Sequence, residues 1–458
     1  MNDSNLGPFA SLTRAPTAGP GPERRIPPTG TRLLVLLSLA ACGFPRPADL
    51  PGDAAVDTPD PGVVLQVSPA GDDANDGLLQ PVKTLKHAIG LAAADARITK
   101  IVLASGTYSA SSGETFPYAV ASNVIVTGPA GGGAILVGDK TAPAISLNRG
   151  GLQNLEFQNF PVAITVTGVV RLENIRVSTD AIAIQIEAMG RLTAEGIDVT
   201  GTSDVCATGV ALNGDAILTI SGLTTRALGT SVLAMSSSSA TITHATLLGR
   251  LACQQAMLSM ISSGSLVVSD SLIDGGYLGI DVNSRTNVPA QAMLTNVVVR
   301  NTDTDALAIF NGNVSVNGGE LSHVRQTAMD IVNGDGLLIG VSILGSNGGF
   351  YIQDATFKMR NCVIADNGFG GALGVRAVAD LGTITDPGNN VFTNRGAGLS
   401  MENGGPDPTL VDAVGNIWKP VQGADQNGRY LVGTVMSGPF TEQGLNLYTA
   451  LNNISVRL

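Results

Sequence analysis

Leu152-Gln153-Asn154-Leu155-Glu156-Phe157 is the hexapeptide on which the reading turns. Its pattern is apolar, any residue, Asn or Gly, apolar, any residue, apolar. The pattern returns as Leu172-Glu173-Asn174-Ile175-Arg176-Val177 and Leu294-Thr295-Asn296-Val297-Val298-Val299. It returns again as Leu338-Ile339-Gly340-Val341-Ser342-Ile343 and Met359-Arg360-Asn361-Cys362-Val363-Ile364. Taken at its third position, a beat falls on Asn154, Asn174, Gly196, Gly222, His244, Asp270, Asn296, Gly318, Gly340, Asn361, Asn390 and Asn416. The twelve beats span 262 residues at a mean spacing near 24, and ten of them are Asn or Gly. A fixed period of this length marks stacked repeats rather than a globular core.

The chemistry of the beat explains its residue choice. Side chains on a strand alternate, so apolar residues two apart share a face. Here the inward positions lie two before and one after the beat, three apart. Parity breaks at the beat, so the chain turns there. Such a corner needs positive φ, which Gly adopts most easily and Asn next. Stacked Asn side chains can also bond to one another from repeat to repeat. A second strand follows each beat, as in Ile164/Val166, Ile280/Val282, Leu307/Ile309 and Met329/Ile331.

A coil of this length with short strands and an Asn/Gly corner resembles the right-handed parallel β-helix of the pectin-lyase-like superfamily. The expected fold is therefore all-β, a single-stranded right-handed parallel β-helix of about twelve coils. At ~4.8 Å per coil the rod would be roughly 60 Å long. A leucine-rich repeat has a similar period, but its fixed leucine spacing is absent. A solenoid needs capped ends. Residues 83–96 form the one good amphipathic helix pattern, with Leu85, Ala88, Ile89 and Ala92 on one side. That helix is expected to cover the first coil.

The stretch around the helix resembles the bacterial domain of unknown function 1565. The matching residues are Val67-Ser68-Pro69, Gly71-Asp72-Asp73, Asn75-Asp76-Gly77, Pro81, Lys83-Thr84 and Ala88-Ile89. They continue with Ile101-Val102-Leu103, Gly106-Thr107-Tyr108 and Glu114-Thr115-Phe116-Pro117. With the coils included, the resemblance runs over about residues 64–420. It implies an extracellular protein and no particular activity, because a fold does not carry a function by itself.

Composition narrows the classes further. Of 458 residues, 57 are Gly, only 4 % are aromatic and 14 % charged. That mix suits a β-rich chain with many tight turns. The 26 Lys and Arg against 37 Asp and Glu give a net charge of −11, which argues against a nucleic-acid partner. The one long apolar run is too short to span a membrane as a helix.

That run is the LLVLLSLAA of residues 33–41, preceded by Arg24, Arg25 and Arg32, in the form of a secretory signal. It ends in Leu39-Ala40-Ala41-Cys42, which resembles the bacterial lipobox. The resemblance implies acylation of Cys42, which becomes the mature N-terminus. Several lipid chains hold a protein on a bilayer. Gly43 in place of Asp favours the outer membrane. Without residues 1–42 the chain keeps 22 Lys and Arg against 35 Asp and Glu, a charge of −13. The expected organisation is a long leader and signal over residues 1–42 and a Pro/Asp/Gly-rich tether over 43–62. An N-terminal cap with the first strands follows over 63–122, then coils over 123–420 and a C-terminal cap over 421–458.

Candidate chemistry is sparse. Asn301-Thr302-Asp303 resembles a fragment of the polygalacturonase signature, but no Asp-Asp pair or Gly-His-Gly follows. A pectate-lyase-type centre needs a basic residue and a calcium site of several acids. Asp303, Asp305, Asp330, Asp335, Arg325 and Arg360 fall in neighbouring coils, with no spacing that shows convergence. Asp72, Asp73 and Asp76 are hard oxygen ligands in one turn and are candidates for Ca²⁺, without completing an EF-hand. The same residues serve equally as turn and cap formers ahead of the helix. His87, His244 and His323 read as structural or surface residues. Trp418 reads as packing in the C-terminal cap.

With Cys42 acylated, three cysteines remain. Cys362 follows a beat, in register with Leu155 and Val341, and is expected as a buried thiol. Cys206 and Cys253 lie ten and nine residues after their beats, two coils apart. Stacked in strands they would be about 9.6 Å apart, beyond disulfide reach. Loops that lean together could join them, so the pairing stays open.

The expected function is a surface-anchored, non-catalytic β-helix lipoprotein of the bacterial cell envelope, binding glycan or a cell-surface protein. The membrane is its other partner, through the N-terminal lipid. The alternative is a polysaccharide lyase or glycoside hydrolase, of which the lyase fits better.

Overall fold

The computed structural model describes residues 62–202, 205–395, 398–401 and 409–418. It also describes the backbone of strands Leu431–Gly433, Met436–Glu442, Leu445–Ala450 and Ile454–Arg457. The proposed signal, Cys42 and the tether lie outside the described residues, as do the side chain of Trp418 and most of the proposed C-terminal cap.

The chain winds as a parallel β-solenoid of about 13 turns. Each turn lays down three strand segments, so three sheet faces run along the axis. The first face precedes the corner beat, the second follows it, and the third leads into the next turn. Pairing keeps register for long distances: Leu152 pairs with Leu172, Leu155 with Ile175 and Phe157 with Val177. On the first face one inward column runs Leu172, Ala194, Ile220, Ile242, Val268 and Leu294. Every member is buried. Each large aliphatic side chain contributes roughly 1.5–3 kcal/mol on burial. The columns, not any single strand, therefore hold the rod together.

Ten of the twelve beats adopt positive φ, from Asn154 at 55° to Asn361 at 56°, His244 and Asp270 included. The Nδ2 of Asn174 donates to Oδ1 of Asn154 at 3.1 Å, and Asn296 does the same to Asp270 at 3.2 Å. The last two beats need correction. The corners there are Asn389 (φ 51°) and Gly415 (φ 76°), each one residue earlier. Asn390 and Asn416 instead point inward, in the column of Cys362, because their amides bond within the core.

The helix α1 spans Leu85–Ala94, with Leu85, Ala88, Ile89 and Ala92 buried as the spacing requires. Thr84 is its N-cap, and the Thr84 hydroxyl accepts from the His87 N–H at 3.1 Å. The two residues given to the cap shorten the helix relative to the pattern. Glu114 reinforces this end from a different part of the chain. Its buried carboxylate accepts from the N–H of Leu85 at 2.8 Å, the N–H of Lys86 at 3.2 Å and the hydroxyl of Tyr118 at 2.5 Å. Burial raises the Glu114 pKa, and these three donors oppose the rise. Among the described residues no helix is long and apolar enough to cross a membrane.

At the other end, Leu431–Gly433 and Ile454–Arg457 add parallel strands to the third and first faces. Met436–Glu442 and Leu445–Ala450 form an antiparallel hairpin.

Cys206 and Cys253 are joined, with Cα atoms 5.5 Å apart. The intervening turn explains how loops two coils apart can meet. That turn passes through Gly229, and a Cβ there would lie 2.8 Å from the Cys206 Cβ. Only a glycine lets both loops close over it. Cys362 is fully buried, as its position required. Burial raises its thiol pKa and keeps it unreactive.

Candidate ligand-binding groove

The loop of residues 284–289 rises at the corner between the third and first faces. The Ser284 hydroxyl donates to the Val288 carbonyl at 2.6 Å, which closes the loop on itself. The Nδ2 of Asn311 in the next turn donates to the Ser284 carbonyl at 3.1 Å and fixes its base. Asn311, Asn333, Asp354 and Arg376 then stack as four positive-φ corner residues. Asn333 donates to Asn311, and Arg376 forms an ion pair with Asp354.

Three hollows of about 700, 460 and 330 Å³ adjoin along this corner. The first shares Asn313, Asp335 and Thr356 with the second and Pro289 and Asn333 with the third, so they form one groove. Its floor is the first face. One row of outward side chains runs Ser265, Gln291, Asn313, Asp335 and Thr356 in strand register. Beside it runs Val267, Met293, Ser315 and Leu337. The groove thus offers a polar track and a largely apolar track side by side. Met293 is 55 % exposed, so the apolar track is open to a ligand.

Across the corner, the third face carries three partly buried carboxyl groups. Ser259, Asp281, Ala308, Asp330 and Tyr351 form one outward row. Burial pushes Asp281 up to about 6, against the opposing influence of Arg285 and a Ser259 hydrogen bond. Burial and the charge of Asp305 push Asp330 up to about 6. Asp305 is itself raised by burial, while the Thr327 N–H donates to it at 3.2 Å. Oδ1 of Asp330 is buried with no hydrogen-bond partner among the described residues.

The structure separates the residues singled out in the sequence. It brings Asp305 and Asp330 within electrostatic reach. Asp335 lies on the groove floor. Asp303 pairs with Arg325. Asn301 donates to Asp274 at 2.7 Å, so the Asn301-Thr302-Asp303 stretch serves corner packing. Arg360 belongs elsewhere: it is buried on the first face, held by Asp380 at 2.7 Å and Asp386 at 2.9 Å. Asp281 was not singled out, although it stands between Ile280 and Val282 as Asp330 stands between Met329 and Ile331. Aligning those two strands would have found it.

The acidic turn near the N-terminal end spends its oxygens locally. Asp72 accepts from the Ala74 N–H at 3.0 Å. Asp73 accepts from the N–H groups of Lys83 and Thr84, both at 2.8 Å, and from the Thr84 hydroxyl at 2.9 Å. Asp76 accepts from the Leu78 N–H at 2.9 Å. Among the described residues no three His, Cys, Asp or Glu side chains gather as a metal centre would require.

A further hollow of about 450 Å³ lies at the first corner, between Gly131–Gly133 and Arg176. Arg176 stands in register between Glu156 and Asp198, and Asp198 pairs with Arg226 at 2.7 Å.

The family model described as "Protein of unknown function (DUF1565)" matches residues 69–422. No curated protein matches the sequence. Among solved structures, pectate lyase Pel9A is similar at 13 % identity, covering 64 % of this chain and 78 % of that one, with a TM-score of 0.40. The A-module of Azotobacter vinelandii mannuronan C-5 epimerase AlgE6 is similar at 12 % identity, covering 81 % and 92 %, with a TM-score of 0.38. PfbA, a surface adhesin of Streptococcus pneumoniae, is similar at 9 % identity, covering 86 % and 100 %, with a TM-score of 0.37. The family match spans most of the chain and takes in both the capping segment and the coils: the chain belongs to the DUF1565 family.

Proposed function

We propose that this chain is an exported, lipid-anchored β-helix that binds glycan along the groove beside residues 284–289, without catalysis. The observation that carries the reading is the continuity of the three hollows over a paired polar and apolar track. Sugar rings present hydroxyl edges and apolar C–H faces, and such a track meets both. The Cys206–Cys253 disulfide supports export, since such bonds persist in oxidising compartments. Native electrophoresis through gels containing cell-wall and plant polysaccharides, with and without calcium, tests the binding. Retardation without loss of polysaccharide supports the reading; no retardation on a broad panel overturns it. Mass spectrometry of the mature chain tests the anchor, and an unmodified thiol at Cys42 would remove it.

A second reading is a polysaccharide lyase or hydrolase. The proximity of the partly buried carboxyls of Asp305 and Asp330 favours it, because paired carboxyls perform acid–base chemistry on glycosidic bonds. A cleared zone in the same gels would select this reading.

A further inference from the structure

We infer that the groove takes an uncharged glycan chain lying parallel to the solenoid axis, rather than an acidic one. This deepens the glycan-binding reading and depends on it. The direction follows from the register. The polar row Gln291, Asn313, Asp335 and Thr356 advances one residue per coil, at about 4.8 Å per step. The row Met293, Ser315 and Leu337 advances beside it, two residues further along each strand. From Ser265 to Thr356 the track crosses five coils, roughly 19 Å. A chain laid along the axis keeps one edge on the polar row and one face on the apolar row throughout. A chain laid across the axis would leave the track within one strand.

The charge of the ligand follows from the lining. Asp335 and Asp354 contribute carboxylates, and Arg376, the cation among the described lining residues, is engaged with Asp354. Asp281, Asp305 and Asp330 stand across the corner. Lys358, next in register after Leu337, is held by Asp386 at 2.8 Å, and Arg285 of the loop acts on Asp281, so a polyuronate would bring repeated negative charge to cations that already face carboxylates. Hydroxyl groups, in contrast, donate to carboxylates and to the Asn and Gln carbonyls. Asn313, Asp335 and Met293 are therefore the specificity-determining residues.

Affinity electrophoresis of the full chain against neutral β-glucan, xylan, polygalacturonate and alginate tests the inference. The expected result is retardation by a neutral glycan and none by either uronate. The retarding effect of soluble neutral oligomers rises with length and levels once they span the track. Asn313→Ala and Met293→Ala each weaken neutral binding at least threefold, while Thr219→Ala, outside the track, leaves it unchanged. Asp335→Asn admits uronate binding. Retardation by uronates alone overturns the assigned class and leaves glycan binding standing. Neutral binding indifferent to Asn313→Ala and Met293→Ala overturns the track. Retardation by no polysaccharide overturns the glycan-binding reading itself.

Discussion

The Nδ2 of Asn390 donates to Oδ1 of Asn416 at 2.8 Å, and the Asn390 backbone N–H donates to the same oxygen at 3.1 Å. Both side chains are buried. One coil back, the Cys362 N–H donates to Oδ1 of Asn390 at 2.9 Å. The column just inside the corner changes here from apolar packing to amides that carry backbone hydrogen bonds between coils. Asn390→Ala leaves the Cys362 N–H without its acceptor in the core, while the Asn416 oxygen keeps only the backbone N–H of residue 390. It should cost about 2–4 kcal/mol. Urea unfolding and amide exchange confined to the last coils measure this; uniform loss of protection along the rod would count against it.

Cys206→Ser removes a link between residues 47 apart in sequence. Restricting a loop of this length stabilises the folded chain by about 2–4 kcal/mol. The variant, and the native chain under reductant, should show the same fall in urea midpoint. Equal stability of oxidised and reduced chains would contradict the assigned bond.

The carboxyls of Asp281 and Asp330 titrate near 6 in the folded chain, against about 4 when unfolded. Between those values the folded state holds more protons. Stability from these groups is therefore greatest below pH 4, falls as the pH rises to 6, and stays low above it. Asp330→Asn should raise stability at pH 8 by about 1–2 kcal/mol, allowing for partial exposure. It should change little at pH 4. Urea midpoints at both values check the sign.

His244 occupies a corner at φ 52°, where a side chain is strained. His244→Gly should stabilise the rod by about 0.5–1 kcal/mol, and Gly222→Val at the equivalent corner should destabilise it by about 1–2 kcal/mol. Thermal unfolding of the two variants gives opposite shifts if the corner geometry is right.

Much of the fold was legible because corner chemistry repeats. Asn154 and Gly196 differ in side chain yet satisfy the same backbone demand, so a beat could be read without any partner. The slip at Asn390 and Asn416 arose because Asn serves both at a corner and inside the core, and one letter does not separate the two. The groove was less legible. Asn313, Asp335 and Thr356 lie about 21 residues apart, and their row exists only once strand register is known. Loop 284–289, which walls the groove, carries no beat. The disulfide depended on Gly229, a residue with no role visible until the loops on either side of it are placed.

That same link bears on how the rod would respond to force. A solenoid contacts itself only between neighbours, so pulling on its ends peels coils one at a time. The Cys206–Cys253 bond withholds the residues between its cysteines from extension, a length of roughly 160 Å. Single-molecule stretching should therefore gain about that much contour when reductant is added. In the proposed anchored, glycan-binding arrangement, the clasp would set a mechanical stop in the middle of the spring.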